Sequence, residues 1–235
     1  MFYDTEIQSM MFTFGEVKNT NHETIEYIES IIRSNIKSLL SKSRKVQILR
    51  KGKYLSVEDI CFVLRRKVYM VNRILQFLAF RETRKKINEE SVSLYEEKNC
   101  EKMEFDWFNH KSEVKDKELI ERLRIIDEVT QFMDKEEYLN FCECRQASFT
   151  YRKYKKFKEF IEFSNLKDDV IDILGYICYE MVYTLTVNAF KTKKNFKFNK
   201  FAKKDLFNFE QSFSLSVKDI NAGLFLILKE NGSLI

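Results

Sequence analysis

The sequence predicts an all-α protein built from two halves with the same order of helices. Helix breakers are rare, since the 235 residues include 5 Gly and 0 Pro. Apolar residues recur three or four positions apart in both halves, which is the spacing of one helix face. The hexapeptide LSVEDI at 55–60 returns as LSVKDI at 215–220, each time after such a stretch.

In the first half we expect a short helix, a long helix, a second short helix and one further helix. The amphipathic segment at 6–14 is followed by Gly15, which predicts a helix stop. The long helix is expected over 23–42. Its apolar positions are Ile25, Ile28, Ile32, Ile36, Leu39 and Leu40. Ser56 with Asp59 resembles a capping box that opens the second short helix, and a further helix is expected over 68–84.

The second half repeats this order. A helix is predicted over 146–163, and a long helix over 168–189. The apolar positions of that long helix are Val170, Ile173, Leu174, Ile177, Met181, Val182 and Leu185. The second hexapeptide is expected to start the last short helix, which ends near Lys229 before an Asn-Gly pair.

Short–long–short is the order of the histone fold, in which one fold alone cannot cover its own long helix. Two such folds in one chain can cover each other, so we expect an intramolecular histone-fold pair with an extra helix after the first fold. Burying the two apolar stripes would stabilise it by roughly 1.5–3 kcal/mol per large side chain. The pairing residues are expected to be Ile25, Ile28, Ile32, Leu39, Val170, Ile173, Leu174, Ile177, Met181 and Leu185.

The predicted domains are an N-terminal fold with its following helix at 1–86, a linker at 87–134 and a C-terminal fold at 135–235. The linker contains 14 acidic and 7 basic residues, so we expect an acidic, polar connection. The whole chain is only mildly basic, with a net charge of +5, well short of a dedicated DNA-binding protein. Five scattered cysteines favour a reducing compartment. No signal pattern or span of about 18 apolar residues is evident, so we expect a soluble intracellular protein without a membrane contact.

Three blocks of the sequence resemble the Spt-three family of transcription initiation proteins, which are subunits of the SAGA coactivator. They are EIQSMMF at 6–12, KEEY at 135–138 with CRQASFTYRK at 144–153, and DDVIDILGY at 168–176. The resemblance implies a fusion of halves similar to TBP-associated factors thirteen and eleven. It also implies a nuclear, non-enzymatic subunit that contacts the TATA-binding protein and other SAGA subunits and helps deliver the TATA-binding protein to promoters. The chain departs from the family by a short linker and a reduced C-terminus.

Two motifs could suggest metal chemistry. Asp168, Asp169 and Asp172 match an Asp-Asp-x-x-Asp pattern that binds Mg²⁺, which would fit a helical Mg²⁺-dependent enzyme. No second acidic cluster accompanies it, and acids in a first helical turn also stabilise the helix dipole, so we favour a helix start. Cys142 and Cys144 lack the further ligands of a zinc site. We therefore predict no cofactor, no metal, no small-molecule substrate and no enzymatic activity.

A basic cluster lies between 145 and 158, interleaved with aromatic residues. Its members are Arg145, Arg152, Lys153, Lys155, Lys156 and Lys158. Such interleaving can indicate nucleic-acid binding, but an amphipathic helix with its aromatic residues inward explains it as well. We favour the helix, with promoter DNA as a minor contact. The lysine- and phenylalanine-rich segment at 191–204 fits a strand, a loop or a helix extension equally.

Glu180 is the one charge between 173 and 186 and allows two interpretations. It either faces water on the polar side of the long helix or contacts the TATA-binding protein beside Tyr176 and Tyr183. Arg145, Arg152 and Lys153 complete the predicted partner-binding set. The alternatives to a SAGA adaptor are a TFIID-type histone-fold subunit and a histone-like DNA-binding pair.

Overall fold

The computed structural model describes residues 2–90, 105, 107, 116–193 and 214–234, and it has no strand among them. The helices are α1 (Asp4–Thr13), α2 (His22–Leu49), α3 (Val57–Val63), α4 (Val68–Glu90), α5 (Lys117–Thr130), α6 (Lys135–Arg145), α7 (Tyr154–Ile161), α8 (Asp168–Thr192) and α9 (Val217–Asn231). The prediction of an all-α protein is confirmed for these residues. Most of the lysine- and phenylalanine-rich segment and the middle of the predicted linker lie outside them.

The chain forms two compact units. The first unit is Met1–Ser38 together with Lys117–Ile235, and the second unit is Leu39–Asp116. In the first unit α1 packs on α6 and α8, while α7 and α9 each pack on α8. The first unit thus combines the beginning of the first predicted half with the whole of the second, whereas the domain limits at 86 and 135 stay a prediction from sequence.

Both copies of the hexapeptide form a capping box, which was predicted for the first copy. The Ser56 hydroxyl accepts from the backbone N–H of Asp59, and the Asp59 carboxylate accepts from the backbone N–H of Ser56 at 2.8 Å. Ser216 and Asp219 make the same reciprocal pair, with the return bond at 2.9 Å. The repeated hexapeptide therefore starts a helix both times because it satisfies two backbone donors that a helix start leaves without partners.

The predicted helix over 146–163 is present only in its second part, because α6 ends at Arg145 and α7 begins at Tyr154. The Ser148 hydroxyl accepts from the backbone N–H groups of Thr150 and Tyr151, which closes a turn that competes with a helix. Arg152 then takes a left-handed backbone conformation, with φ of 56°. A local side-chain bond thus interrupts a stretch with helical spacing.

For the acidic segment at 87–134 the sequence predicts a polar connection but no conformation. Its end forms α5, in which a single residue, Arg122, is buried. The other correction is the length of α2, which continues to Leu49 because residues 43–49 consist mainly of good helix formers.

All ten predicted pairing residues are buried, with exposed fractions of 5% or less. Nine of them lie in the first unit and Leu39 lies in the second. The close approach of α8 and α9 depends on Gly223, where an added Cβ would lie 2.6 Å from the backbone nitrogen of Ala189. By length and composition α8 could cross a membrane, but 67% of its most apolar window is buried, as in the core helix of a soluble protein.

The candidate partner-binding surface

Glu180 does not face water, so that prediction is wrong. Its side chain is 2% exposed and lies against Arg122, which is 7% exposed. The guanidinium donates from Nη1 to Oε1 at 2.9 Å and from Nη2 to Oε2 at 3.1 Å. This is the bidentate geometry in which an arginine–carboxylate pair is strongest. The pair joins α5 to α8 across 58 residues of sequence.

Aromatic rings enclose this ion pair. The Arg122 guanidinium carbon lies 3.3 Å from the centre of the Tyr183 ring, which itself packs edge-on against Phe14. Burial alone would lower the pKa of Arg122, but the hydrogen bonds and charge of Glu180 outweigh it and raise that pKa. Burial raises the pKa of Tyr183 as well. Arg122 is therefore a permanent cation whose charge Glu180 compensates inside the first unit.

The remaining predicted partner-binding residues divide into three kinds. Arg145 and Arg152 are exposed; Arg145 ends α6, and Arg152 lies in the connection to α7. Tyr176 and Tyr183 are half-buried on α8. Lys153 instead donates to Glu6 of α1 at 2.5 Å, and Lys156 contacts the same carboxylate oxygen at 3.2 Å. Burial opposes ionisation of Glu6, but these two lysines hold its pKa below the usual range. Lys153 is thus held by an internal ion pair.

Near its N-terminus the chain is anchored in an aromatic cluster of the second half. The fully buried Tyr3 ring lies 4.9 Å from Phe149 and 5.1 Å from Phe160, centre to centre. The Glu29 carboxylate accepts from the backbone N–H groups of Phe2 and Tyr3. Arg33 donates to the carbonyl oxygen of Phe160 at 2.9 Å. These contacts connect α1 and the start of α2 to the elements around α7.

A second connection involves Glu16, in the loop between α1 and α2. Its Oε1 accepts from the backbone N–H of Leu215 at 2.9 Å, and Thr24 donates to the carbonyl oxygen of the same residue. Glu16 is 3% exposed, and its Oε2 is buried without a hydrogen-bond partner. Burial raises the pKa of Glu16 to about 7, despite the bond from Leu215. A buried carboxyl thus fixes the start of α9.

Sequence reasoning missed Arg122, Glu16 and Glu29. The segment of Arg122 was assigned to a linker by its charge, although Leu119, Leu123 and Ile126 have helical spacing that could have indicated α5. Local pattern carries no signal for Glu16, because its partner Leu215 is 199 residues away.

The metal motif has a structural explanation. Asp168 and Asp169 are exposed in the first turn of α8, as expected of a helix start, while Asp172 accepts a hydrogen bond from the Tyr154 hydroxyl at 2.6 Å. Within the described ranges, no three His, Cys, Asp or Glu side chains are grouped so that they could hold a metal ion.

Comparison with known proteins agrees with the architecture. Residues 1–91 match the family of transcription initiation factor IID, 18kD subunit, which is of histone-fold type. The SAGA complex subunit Spt3 of Schizosaccharomyces pombe is 34% identical over 81% of this chain and 73% of its own length. The Saccharomyces cerevisiae SAGA complex subunit SPT3 is 32% identical over 82% of this chain and 74% of its own length.

A shorter relative matches only part of the chain. Transcription initiation factor TFIID subunit 13 of Dictyostelium discoideum is 28% identical over 43% of this chain and 91% of its own length. The resemblance seen in the sequence is confirmed by the matches that extend through both halves: the chain belongs to the Spt3 family of SAGA complex subunits.

Proposed function

We propose that the chain is a non-enzymatic, nuclear subunit of a SAGA-type complex that binds the TATA-binding protein and helps deliver it to promoters. In this proposal the two halves form an intramolecular histone-fold pair, and the complex supplies further histone-fold and scaffold partners. The observation that carries the proposal is the set of contacts in the first unit between residues 2–33 and residues 149–215. Through these contacts, the two halves of one chain would cover each other's apolar surface, as two separate histone-fold chains do in a pair.

The pairing can be tested in the full chain. A specific protease site placed within residues 91–104 separates α1–α4 from α5–α9 when it is cut. We expect the two pieces to elute together from a sizing column under native conditions, because the aromatic cluster and the Glu16 contact still join them. They should separate in urea, which serves as the control. Separation under native conditions would contradict an intramolecular pair.

The TATA-binding-protein surface is proposed to include Arg145, Arg152, Tyr176 and Tyr183. Glu180 contributes indirectly, because it holds Arg122 against the Tyr183 ring and is itself covered. Lys153 likewise contributes through its bond to Glu6.

Arg145→Ala with Arg152→Gly tests this surface, since both side chains are exposed and glycine suits the left-handed backbone at 152. We expect affinity for the TATA-binding protein to fall about tenfold, or ~1.4 kcal/mol, with unfolding no easier than before. Lys155→Ala, an exposed basic residue of α7, is the matched control. If the double variant and the control bound the TATA-binding protein with equal affinity, Arg145 and Arg152 would not belong to the binding surface.

A TFIID-type subunit is the second candidate function, and the match of residues 1–91 to the TFIID 18kD family favours it. The SAGA relatives align with a far larger share of the chain, about four-fifths of it, and we therefore prefer a SAGA-type complex. Purification of the tagged protein from its own cells distinguishes the two. Recovery of TFIID-specific subunits without SAGA-specific ones would favour the second candidate.

A further inference from the structure

The positive charge of the chain is concentrated in the second unit. Residues 42–84 contain 12 basic and 3 acidic residues, a net charge of +9. Because the whole chain carries +5, everything outside these residues sums to −4. Asp59 compensates Arg50, and Asp116, which lies outside this range, compensates Arg73, but the region keeps a large positive net charge. A charge imbalance of this size indicates an anionic partner.

Eight of these cations are exposed and lie at two neighbouring turns, which we call the basic tip. Six of them fall in residues 42–53, at the end of α2 and in the following turn, and Arg65 and Arg66 lie after α3. Arg50 joins the end of α2 to the start of α3, since it donates to both Asp59 and Ser56. Because α3 has only seven residues, it separates the turns by about 10 Å.

The backbone at Lys51 gives a second, independent observation. Lys51 follows α2 with a φ of 57°, a left-handed conformation that glycine normally supplies at a helix end. The N–H of Gly52 bonds to the carbonyl oxygen of Gln47, so Lys51 occupies the position that favours glycine. A lysine there costs stability, whereas a glycine would not. An exposed lysine thus occupies a position at which glycine would make the fold more stable.

The helix dipole explains only part of this charge. Cations in the last turn of a helix are stabilised by its C-terminal partial charge, an effect that fades within one turn. This effect accounts for Arg50 and Lys51. Lys42 lies two turns earlier in α2, and Arg65 and Arg66 lie in the connection after α3. The rest of the basic tip therefore needs a different explanation.

We propose that the basic tip binds the phosphate backbone of duplex DNA without reading its sequence. The eight exposed cations lie along the last two turns of α2 and at both ends of α3, which allows contact with several phosphates in succession. This proposal places the DNA contact in the second unit. The sequence predicts a minor DNA contact at 145–158, but Lys153 and Lys156 of that cluster bind Glu6. An acidic, apolar peptide is the competing occupant, since Ile48 and Leu49 are exposed at the same place.

Fluorescence anisotropy of a short mixed-sequence duplex with the full chain tests the proposal. We expect the logarithm of the binding constant to fall with the logarithm of salt concentration with a slope of about −4 to −6, as for about five or six phosphates. Lys51→Gly should weaken binding about three- to tenfold and reduce the slope by about one, while making the fold harder to unfold. That combination separates a binding role from a structural one.

Two controls accompany this variant. Lys155→Ser removes one exposed positive charge from the first unit, and Glu162→Gly replaces another exposed residue with positive φ. Both should leave DNA affinity within about twofold of the parent. The proposal is overturned if Lys155→Ser weakens binding as much as Lys51→Gly, or if no salt-dependent binding is found. It is also overturned if an acidic apolar peptide binds more tightly than the duplex and displaces it.

Discussion

The two units of the chain use charge in opposite ways. In the first unit, charged side chains pair between segments that are far apart in sequence: Arg122 with Glu180, where both are buried, and Lys153 with the buried Glu6. In residues 42–84 of the second unit, nine of the twelve cations are exposed, and only three acids accompany them. The modest net charge of +5 therefore hides a basic region within a slightly acidic remainder. In the first unit, ion pairs hold distant segments together, whereas in the second unit basic side chains are exposed to solvent.

Breaking the buried ion pair should have the largest effect. Glu180→Lys would place a second cation beside Arg122 in a closed aromatic environment, and we expect a loss of about 3–5 kcal/mol in the free energy of unfolding. Urea denaturation measures it. Arg124→Ala, which removes an exposed pair on the same helix, is the control and should lower the free energy of unfolding far less.

The same substitution separates an indirect from a direct role in partner binding. If Glu180→Lys weakens binding of the TATA-binding protein only in proportion to the unfolded fraction, Glu180 acts through stability. Replacing both partners, Arg122→Met with Glu180→Leu, should recover most of the lost stability, because an apolar pair needs no compensating charge. Equal stability of Glu180→Lys and the parent would show that the pair contributes nothing to the first unit.

Glu16 gives the first unit a dependence on pH. The pKa of its carboxyl is about 7 when folded and 4.5 in the reference state, so folding takes up a proton between these values. The stability contributed by the neutral form is present at low pH and is lost as pH rises from about 4.5 to 7. Glu16→Gln should therefore raise the free energy of unfolding at pH 8 by on the order of 1–3 kcal/mol and change it little at pH 4.

Urea denaturation at both pH values measures this difference. Glu23→Gln, which neutralises an exposed carboxyl at the start of α2, is the matched control and is measured at the same two pH values. If Glu16→Gln were less stable than the parent at both pH values, the charged hydrogen bond from Leu215 would outweigh the cost of burying the carboxylate.

The sequence predicted the features that depend on local spacing. The helix starts at both hexapeptides were predicted, the first as a capping box, because Ser and Asp three residues apart satisfy each other's backbone groups within one helical turn. The buried stripe of α8 followed from a spacing of three and four residues. The burial of Glu180 did not follow, because the residue that compensates it is on α5, in a segment whose acidic composition favoured a linker. A pattern within one helix cannot show which distant charge will meet it.

The smallest effects concern three exposed residues with positive φ, Lys51, Arg152 and Glu162. Glycine at any of these positions should raise the free energy of unfolding by roughly 0.5–1 kcal/mol, because it adopts a left-handed backbone without strain. At position 162 the gain should be smaller, because the substitution also removes a weak surface ion pair with Lys37. Thermal and urea denaturation of the three single variants measures the gain. The comparison of the units predicts different consequences for binding: Glu162→Gly should stabilise the chain without loss of any partner, whereas Lys51→Gly should stabilise it and weaken DNA binding. If Lys51→Gly gained stability and kept full affinity for DNA, the cation at the end of α2 would have no role in binding. The difference between paired charge in the first unit and DNA-binding charge in the second would then not include Lys51.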